Sequence, residues 1–143
     1  MEIWKKYKEK HNGNYSYKIC FGSWTGYGQE TEIIIKNDEI ESRKYQEWNL
    51  DRKSQEYKKN VTLQWCENAS EIGSHKQGAP AKNMEELYKE AIKILLTNLE
   101  KYQKLVLKFD EFGILKNCYY YDTNIVDDVP SIGIIISSLK LGE

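Results

Sequence analysis

Apolar residues recur along this chain first at helical spacing and then at strand spacing. Ile3, Trp4, Tyr7 and His11 fall on one side of a short N-terminal helix over residues 3–11, with Gly13 just past its end, where a left-handed residue closes a helix. From Tyr15 the period drops to two. Tyr15, Tyr17, Ile19 and Phe21 point one way and Ser16, Lys18 and Cys20 the other, which predicts a strand. "ETEIIIKNDEIESRKYQEW" predicts two strands about a hairpin turn at Asn37–Asp38, since both residue types tolerate positive φ. Val61, Leu63 and Trp65 then define one face of a further strand, after a polar stretch, "DRKSQEYKKN", expected as a long loop.

From Glu67 to Lys82 the apolar period is lost among Gly73, Gly78, Pro80 and small polar residues, which predicts a surface loop. Asn83 can cap a helix with Glu86 reaching back to it, and Leu87, Tyr88, Ala91, Ile92, Leu95 and Leu99 trace the apolar stripe that would lie on a sheet. Leu105, Leu107 and Phe109 predict the next strand, Asp110–Gly113 a turn, Cys118 to Tyr121 its partner, and Ile132–Leu139 the last strand. Links of hairpin length imply antiparallel pairing. The expectation is therefore an α+β fold in a single globular domain over residues 1–143. It would have one antiparallel sheet of six or seven strands, one long helix packed on it and a short N-terminal helix.

Charge narrows the partners. Lys and Arg number 21 against 22 Asp and Glu, so no strong field would draw the protein to phosphate backbones, and nucleic acid is not an expected partner. Apolar runs such as "IGIII" fall far short of the roughly 18–20 residues of a membrane span. "MEIWKKYKEK" lacks the apolar segment of a signal peptide. Either the chain is cytoplasmic, or it is a secreted or cell-envelope protein whose leader has been replaced by the initiator Met. Cys20, Cys66 and Cys118 form no C-x-x-C pair and have no His at zinc spacing, so neither a metal nor a cofactor is predicted, and the odd count leaves at least one thiol unpaired. Sequons at Asn14, Asn60 and Asn68 would carry sugar only in a eukaryotic secretory route.

Three groups of residues could carry function. "FGSWTGYGQE" sets Gly22, Gly26 and Gly28 around Trp24 and Tyr27; glycines let the loop 22–28 turn sharply, and rigid aromatics dominate binding hot spots. The competing reading folds Trp24 back as a core plug. His75, in "EIGSHKQGAP", could add to that loop as a ligand-binding residue. It could instead serve a small hydrolase with Cys66 or Cys118 as nucleophile, or with Asp127 and Asp128. The acids Asp122, Asp127 and Asp128 could bind a divalent ion weakly, although their spacing is not that of an EF-hand, or could simply turn the chain between two strands. "CYYYD" offers no single stacking platform, because Tyr120 faces away from Tyr119 and Tyr121.

The run "FDEFGILKNCYYYDTNIVDDVPSIGIII" after a helix opening "MEELYKEA", together with "YSYKICF" followed by "TEIIIKNDEIESRKY", resembles the bacterial domain of unknown function family six-one-seven-four. The resemblance implies a small secreted or lipoprotein-like protein with an acidic pair after the penultimate strand and no established activity. The family's paired cysteines in the first strand are reduced here to Cys20. The functional expectation is a small non-enzymatic binding domain, an inhibitor or cell-envelope accessory protein, that presents loop 22–28 to a protein or extracellular ligand. The alternatives are the hydrolase above and a structural or assembly subunit.

Overall fold

The structure is a computed structural model and describes residues 1–23, 25–51, 58–124 and 132–142. Helix α1 (Glu2–Lys10) is followed by strands β1 (Tyr15–Gly22), β2 (Tyr27–Lys36), β3 (Glu39–Asp51) and β4 (Lys58–Asn68). Helix α2 (Met84–Leu95) then leads to β5 (Gln103–Phe109), β6 (Leu115–Asp122), β7 (Ile132–Ile135) and β8 (Ser138–Leu141). The α+β class and the antiparallel pairing are as the periodicity predicts, but one sheet becomes two: a five-stranded sheet ordered β4-β3-β2-β1-β8 and a three-stranded sheet ordered β5-β6-β7.

The division falls inside what reads as one last strand. Ile136 N–H donates to the Lys116 carbonyl of the smaller sheet at 2.9 Å, and Ser137 N–H donates to the Lys18 carbonyl of the larger at 2.8 Å. The chain thus changes sheet within two residues. The cause is a change of phase: Ile134 and Ile136 are buried at even positions, whereas Leu139 and Leu141 pack on the core from odd ones. A strand cannot bury both sets on one face without a break.

The β2–β3 hairpin turns where predicted, with Asn37 and Asp38 at φ 51° and 66°. Of the stretch read as a loop before Val61, Asp51 ends β3 and Lys58 to Asn60 open β4, so the strands reach into it from both sides, and residues 52–57 lie outside the described residues. A register shift opposite Glu47 and Trp48 puts Leu63 and Val61 on opposite faces, so Val61 leaves the face it was assigned to. α2 is closed at its start by the predicted capping box: Glu86 N–H donates to Asn83 Oδ1 at 2.9 Å, and the Glu86 carboxylate accepts from Asn83 N–H.

One cluster of buried side chains is shared by both sheets. Tyr15, Tyr17, Ile33 and Ile35 of the larger sheet meet Trp4 of α1, Met84, Leu87 and Ala91 of α2, and Leu115, Cys118 and Ile134 of the smaller sheet. Three tyrosine hydroxyls inside it, those of Tyr15, Tyr17 and Tyr88, serve the backbone. Met84 N–H donates to Tyr15 Oη at 2.8 Å, and Tyr17 Oη donates to the Lys82 carbonyl at 2.6 Å. Burial pushes the Tyr15 and Tyr17 phenols well above their ordinary pKa, so they remain protonated. α2 lies over β6 and β7; Leu115 N–H donates to Tyr88 Oη, and the Cys118 thiol contacts the Ala91 carbonyl. Because α2 leaves β5 uncovered, Ile92 and Leu95 stay about half exposed, and Leu99 falls beyond the helix end; the predicted stripe is only partly buried.

Candidate functional site

The helices cover only half of the inner face of the five-stranded sheet. Along β1 that face reads Tyr15, Tyr17, Ile19, Phe21; the two tyrosines are 1% exposed, while Phe21 is 51% exposed. The uncovered half continues across Tyr27, Gln29 and Thr31 of β2, Tyr45 and Glu47 of β3, and Leu63, Trp65 and Glu67 of β4. Each of these pairs in register with a neighbour on the same face.

Residues 67–82 cross this half of the face as the predicted loop, and one buried carboxylate pins them. Glu67, fully buried, accepts from Arg43 Nε at 2.8 Å and Nη2 at 3.1 Å, from Gly73 N–H at 3.0 Å, from Ser74 Oγ at 3.0 Å and from His75 N–H at 2.6 Å. His75 Nδ1 lies 2.8 Å from the same carboxylate. The Arg43 guanidinium beside it, helped by the loop amides, holds this carboxyl far below the ordinary range, although burial alone would push it up. Arg43 also donates to two loop carbonyls, those of Ala79, at 2.9 Å, and His75, at 2.8 Å. The His75 ring stacks on Trp65 with centroids 4.2 Å apart, and the Arg43 guanidinium lies 4.8 Å from the Trp65 ring. Trp65 Nε1 is buried with no hydrogen-bond partner among the described residues.

Farther along, Ala79 N–H donates to Thr31 Oγ1 at 3.0 Å. Gly78 makes this approach possible. It sits at φ 86°, and a Cβ there would come within 3.1 Å of both Thr31 Oγ1 and the Tyr45 ring. Between the loop and the open strands lies a cavity of about 270 Å³ lined by Ile19, Phe21, Gln29, Thr31, Gly78 and Ala79. At its far side the Tyr45 hydroxyl is 2.7 Å from the Gln29 side-chain oxygen and from Glu47 Oε1. Burial, and then the Glu47 carboxylate, raise this phenol's pKa, so it stays a proton donor.

The residues singled out in the sequence are dispersed around this site. Tyr27 is half-buried at the start of β2, opposite Asn49, on the same face as Gln29. Gly26 is buried at φ 94°; its carbonyl accepts from Leu50 N–H at 2.9 Å, and its own N–H donates to the Ser23 carbonyl. Gly28 provides a bare backbone on which the Trp48 ring rests, where a Cβ would fall 2.5 Å from that ring. The described residues of loop 22–28 are thus tied by backbone hydrogen bonds and lie between Phe21 and Gln29, which line the cavity. Trp24 lies outside the described residues. His75 belongs to the Glu67 clamp. Cys66 stands on the outer face of the sheet, opposite Lys44, and Cys118 is buried in the other sheet, so neither thiol is brought to His75. Asp122 Oδ1 accepts from Asn124 N–H at 2.8 Å, a turn-making bond, and Asp127 and Asp128 lie outside the described residues. No group of three or more His, Cys, Asp and Glu among the described residues is placed to hold a metal ion.

Sequence reasoning missed Arg43 and Glu67. The signal was present: Arg43 is in phase with Tyr45, and Glu67 with Leu63 and Trp65, so each is a charge at an inward position of a strand. The outer face of the same sheet carries a wider groove of about 470 Å³ along Lys18, Glu30, Glu32, Lys44, Gln46, Gln64 and Cys66. Tyr45 and Trp65 also border it, but its side chains are mainly charged and polar, Lys18 lying 3.8 Å from both Glu30 and Glu32. The inner cavity is the stronger site because apolar walls and a few convergent polar groups are what a ligand pocket needs.

Fold and site together define an α+β domain of two antiparallel sheets, with half of one inner face left open beside a clamped loop. Compared with family models, with curated proteins and with solved structures, the chain finds no match. The resemblance drawn above therefore rests on the quoted motifs alone. No helix among the described residues is long and apolar enough to cross a membrane.

Proposed function

We propose that this protein is a small binding domain that takes an apolar side chain of a protein partner into the cavity between the 22–28 hairpin and the 67–82 loop. The exposure of Phe21 carries the reading. It occupies an inward strand position whose neighbours two and four places back, Ile19 and Tyr17, pack on or within the core, yet it has no helix above it. A cavity of about 270 Å³ suits one large aliphatic or aromatic side chain rather than a whole cofactor, since small-molecule pockets begin at roughly 300 Å³. Gln29 and the Tyr45–Glu47 pair at its edge can bond the partner's backbone. The clamp on Glu67 keeps the loop in place before binding, which lowers the ordering cost of association. An extracellular or envelope setting, and a role as inhibitor or accessory protein, are compatible with this chemistry.

The test is selection of peptides from a random library on the wild-type protein and on Phe21→Asp. The wild type should enrich peptides with a shared apolar anchor, and titration with such a peptide should shift the backbone amide resonances of Ile19, Thr31, Gly78 and Ala79. Phe21→Asp should bind them at least tenfold more weakly. Peptides that bind both proteins equally, or shift resonances elsewhere, would exclude this cavity as the binding site.

A further inference from the structure

A second exposed apolar surface lies on the three-stranded sheet, away from the cavity. Leu105, Leu107 and Phe109 of β5 are 39%, 42% and 52% exposed. They stand on the helix side of their sheet, because Leu107 is opposite Cys118, Leu105 opposite Tyr120 and Phe109 opposite Leu115, and the Cys118 thiol contacts α2. Ile92 and Leu95 of α2 and Leu96, which caps its end, are 53%, 44% and 79% exposed. Ile92 and Leu96 occupy the flank opposite Glu90, which bonds Lys82 beside the five-stranded sheet; they therefore face away from that sheet, toward β5. These six side chains expose on the order of 500 Å² of apolar surface, the upper end of what an ordinary monomer shows.

β5 is also a free edge. It pairs only with β6, and no other backbone hydrogen bond among the described residues reaches positions 104–109. The Tyr102 carbonyl accepts from Thr123 N–H, and Asp110 N–H donates to the Ile114 carbonyl, so even-numbered residues turn their backbone groups inward. Leu105, Leu107 and Phe109 accordingly direct theirs to the open edge.

We infer that β5 pairs antiparallel with β5 of a second copy, joining the two small sheets into one continuous sheet across a twofold axis at Leu107. The sequence of the strand selects this register. With the axis at Val106, Lys104 would lie directly opposite Lys108 of the second copy, a like-charge pair on each side of the axis. With the axis at Leu105, Gln103 would oppose Leu107 and Phe109 would pass the end of the partner strand. With the axis at Leu107, Leu107 meets its own counterpart, Leu105 meets Phe109, and Lys104 meets Asp110 of the second copy. The outward backbone groups of Leu105, Leu107 and Phe109 then fall in hydrogen-bonded pairs.

The flanking helices fit the same arrangement. Three strand spacings separate the two β6 strands, about 14 Å, and because α2 lies over β6 and β7 the two helices stand farther apart than that, leaving a cleft above the paired β5 strands. Ile92, Leu95 and Leu96 fill it. The apolar patch, the paired edge and the two Lys104–Asp110 contacts together approach the roughly 800 Å² per partner of a stable interface.

Sedimentation equilibrium of the full chain under reducing conditions, at concentrations up to about 100 μM, tests the proposal. The wild type should be a dimer. Leu107→Lys, which places two ammonium groups at the axis, should be monomeric while keeping the far-UV circular dichroism of the wild type. Lys104→Glu, a change at an exposed site, sets a second carboxylate against Asp110 and should raise the dissociation constant at least tenfold, whether or not Leu107→Lys folds. A monomeric wild type overturns the proposal, as does a dimer whose dissociation constant Lys104→Glu leaves unchanged.

Discussion

Glu67 is a carboxylate with no exposure, held by one guanidinium and the amides of its own loop, and its removal should be felt throughout the site. Arg43→Met leaves that charge buried without its cation, at a cost of about 3–5 kcal/mol, whereas Arg43→Met combined with Glu67→Leu should recover most of the loss. Urea unfolding of both variants measures this, and equal destabilisation by the single and double changes would contradict it. The pH dependence has a definite sign. The folded-state pKa of Glu67 lies below its unfolded value of about 4.3, so its contribution is complete above that pH and is lost as pH falls toward the folded value. The melting temperatures of wild type and Glu67→Gln should therefore differ most at neutral pH and converge below about pH 4. A gap that stays constant down to pH 3 would mean the carboxylate is not what holds the loop. The site was partly legible in the sequence. His75 enters the Glu67 clamp, but none of the described residues singled out in the sequence lines the cavity, and the clamp was hidden because a charge in phase with Tyr45 or Trp65 has meaning only once its partner strand is known, and Arg43 and Glu67 are 24 residues apart.

At the scale of elements, local signals held wherever the cause was local. The Asn37–Asp38 turn and the Asn83 cap each depend on residues within a few positions and stand where the sequence places them, and α1 ends at Lys10 with Asn12 and Gly13 both left-handed just beyond it. What failed depended on distant contacts: the register shift that turns Val61 away, the exposure of Ile92, and the break near Ser137 that splits one strand between two sheets. Even that break leaves a trace, since the buried positions change from even to odd between Ile136 and Leu139. The capping box gives a direct test of a local signal. Asn83→Ala removes the side chain that accepts from Glu86 N–H and should cost about 1 kcal/mol. Tyr15→Phe, which orphans the buried Met84 N–H at the same helix end, should cost about 1–3 kcal/mol. Thermal unfolding of the two variants and their combination would show whether both act on the start of α2. A double variant no worse than either alone would mean that the helix end frays in the single variants already.

For the whole molecule the decisive feature is that two sheets, joined by no ladder among the described residues, share one core. Tyr17, Ile35 and Met84 belong to the same cluster as Leu115, Cys118 and Ile134, and only two residues of chain separate the sheets at Ile136 and Ser137. Neither sheet can bury its inner face without the other or without α2 between them, so neither has a core to retain when its neighbour is lost. Unfolding should therefore be one transition. Ile35→Ala in the larger sheet and Ile134→Ala in the smaller each empty a fully or almost fully buried site, and each should cost about 2–5 kcal/mol. The two halves can be followed separately. Trp48 and Trp65 report on the larger sheet by fluorescence, and backbone amides of Cys118 to Tyr121 report on the smaller by hydrogen exchange. Either substitution should lower the unfolding midpoint seen by both probes, and should raise exchange in both sheets by the same free energy. If Ile134→Ala speeds exchange only in β5, β6 and β7 while the tryptophan transition stays in place, the smaller sheet is an independently opening unit. The docking edge at β5 would then be carried by a segment that can detach, rather than by a face fixed to the binding cavity.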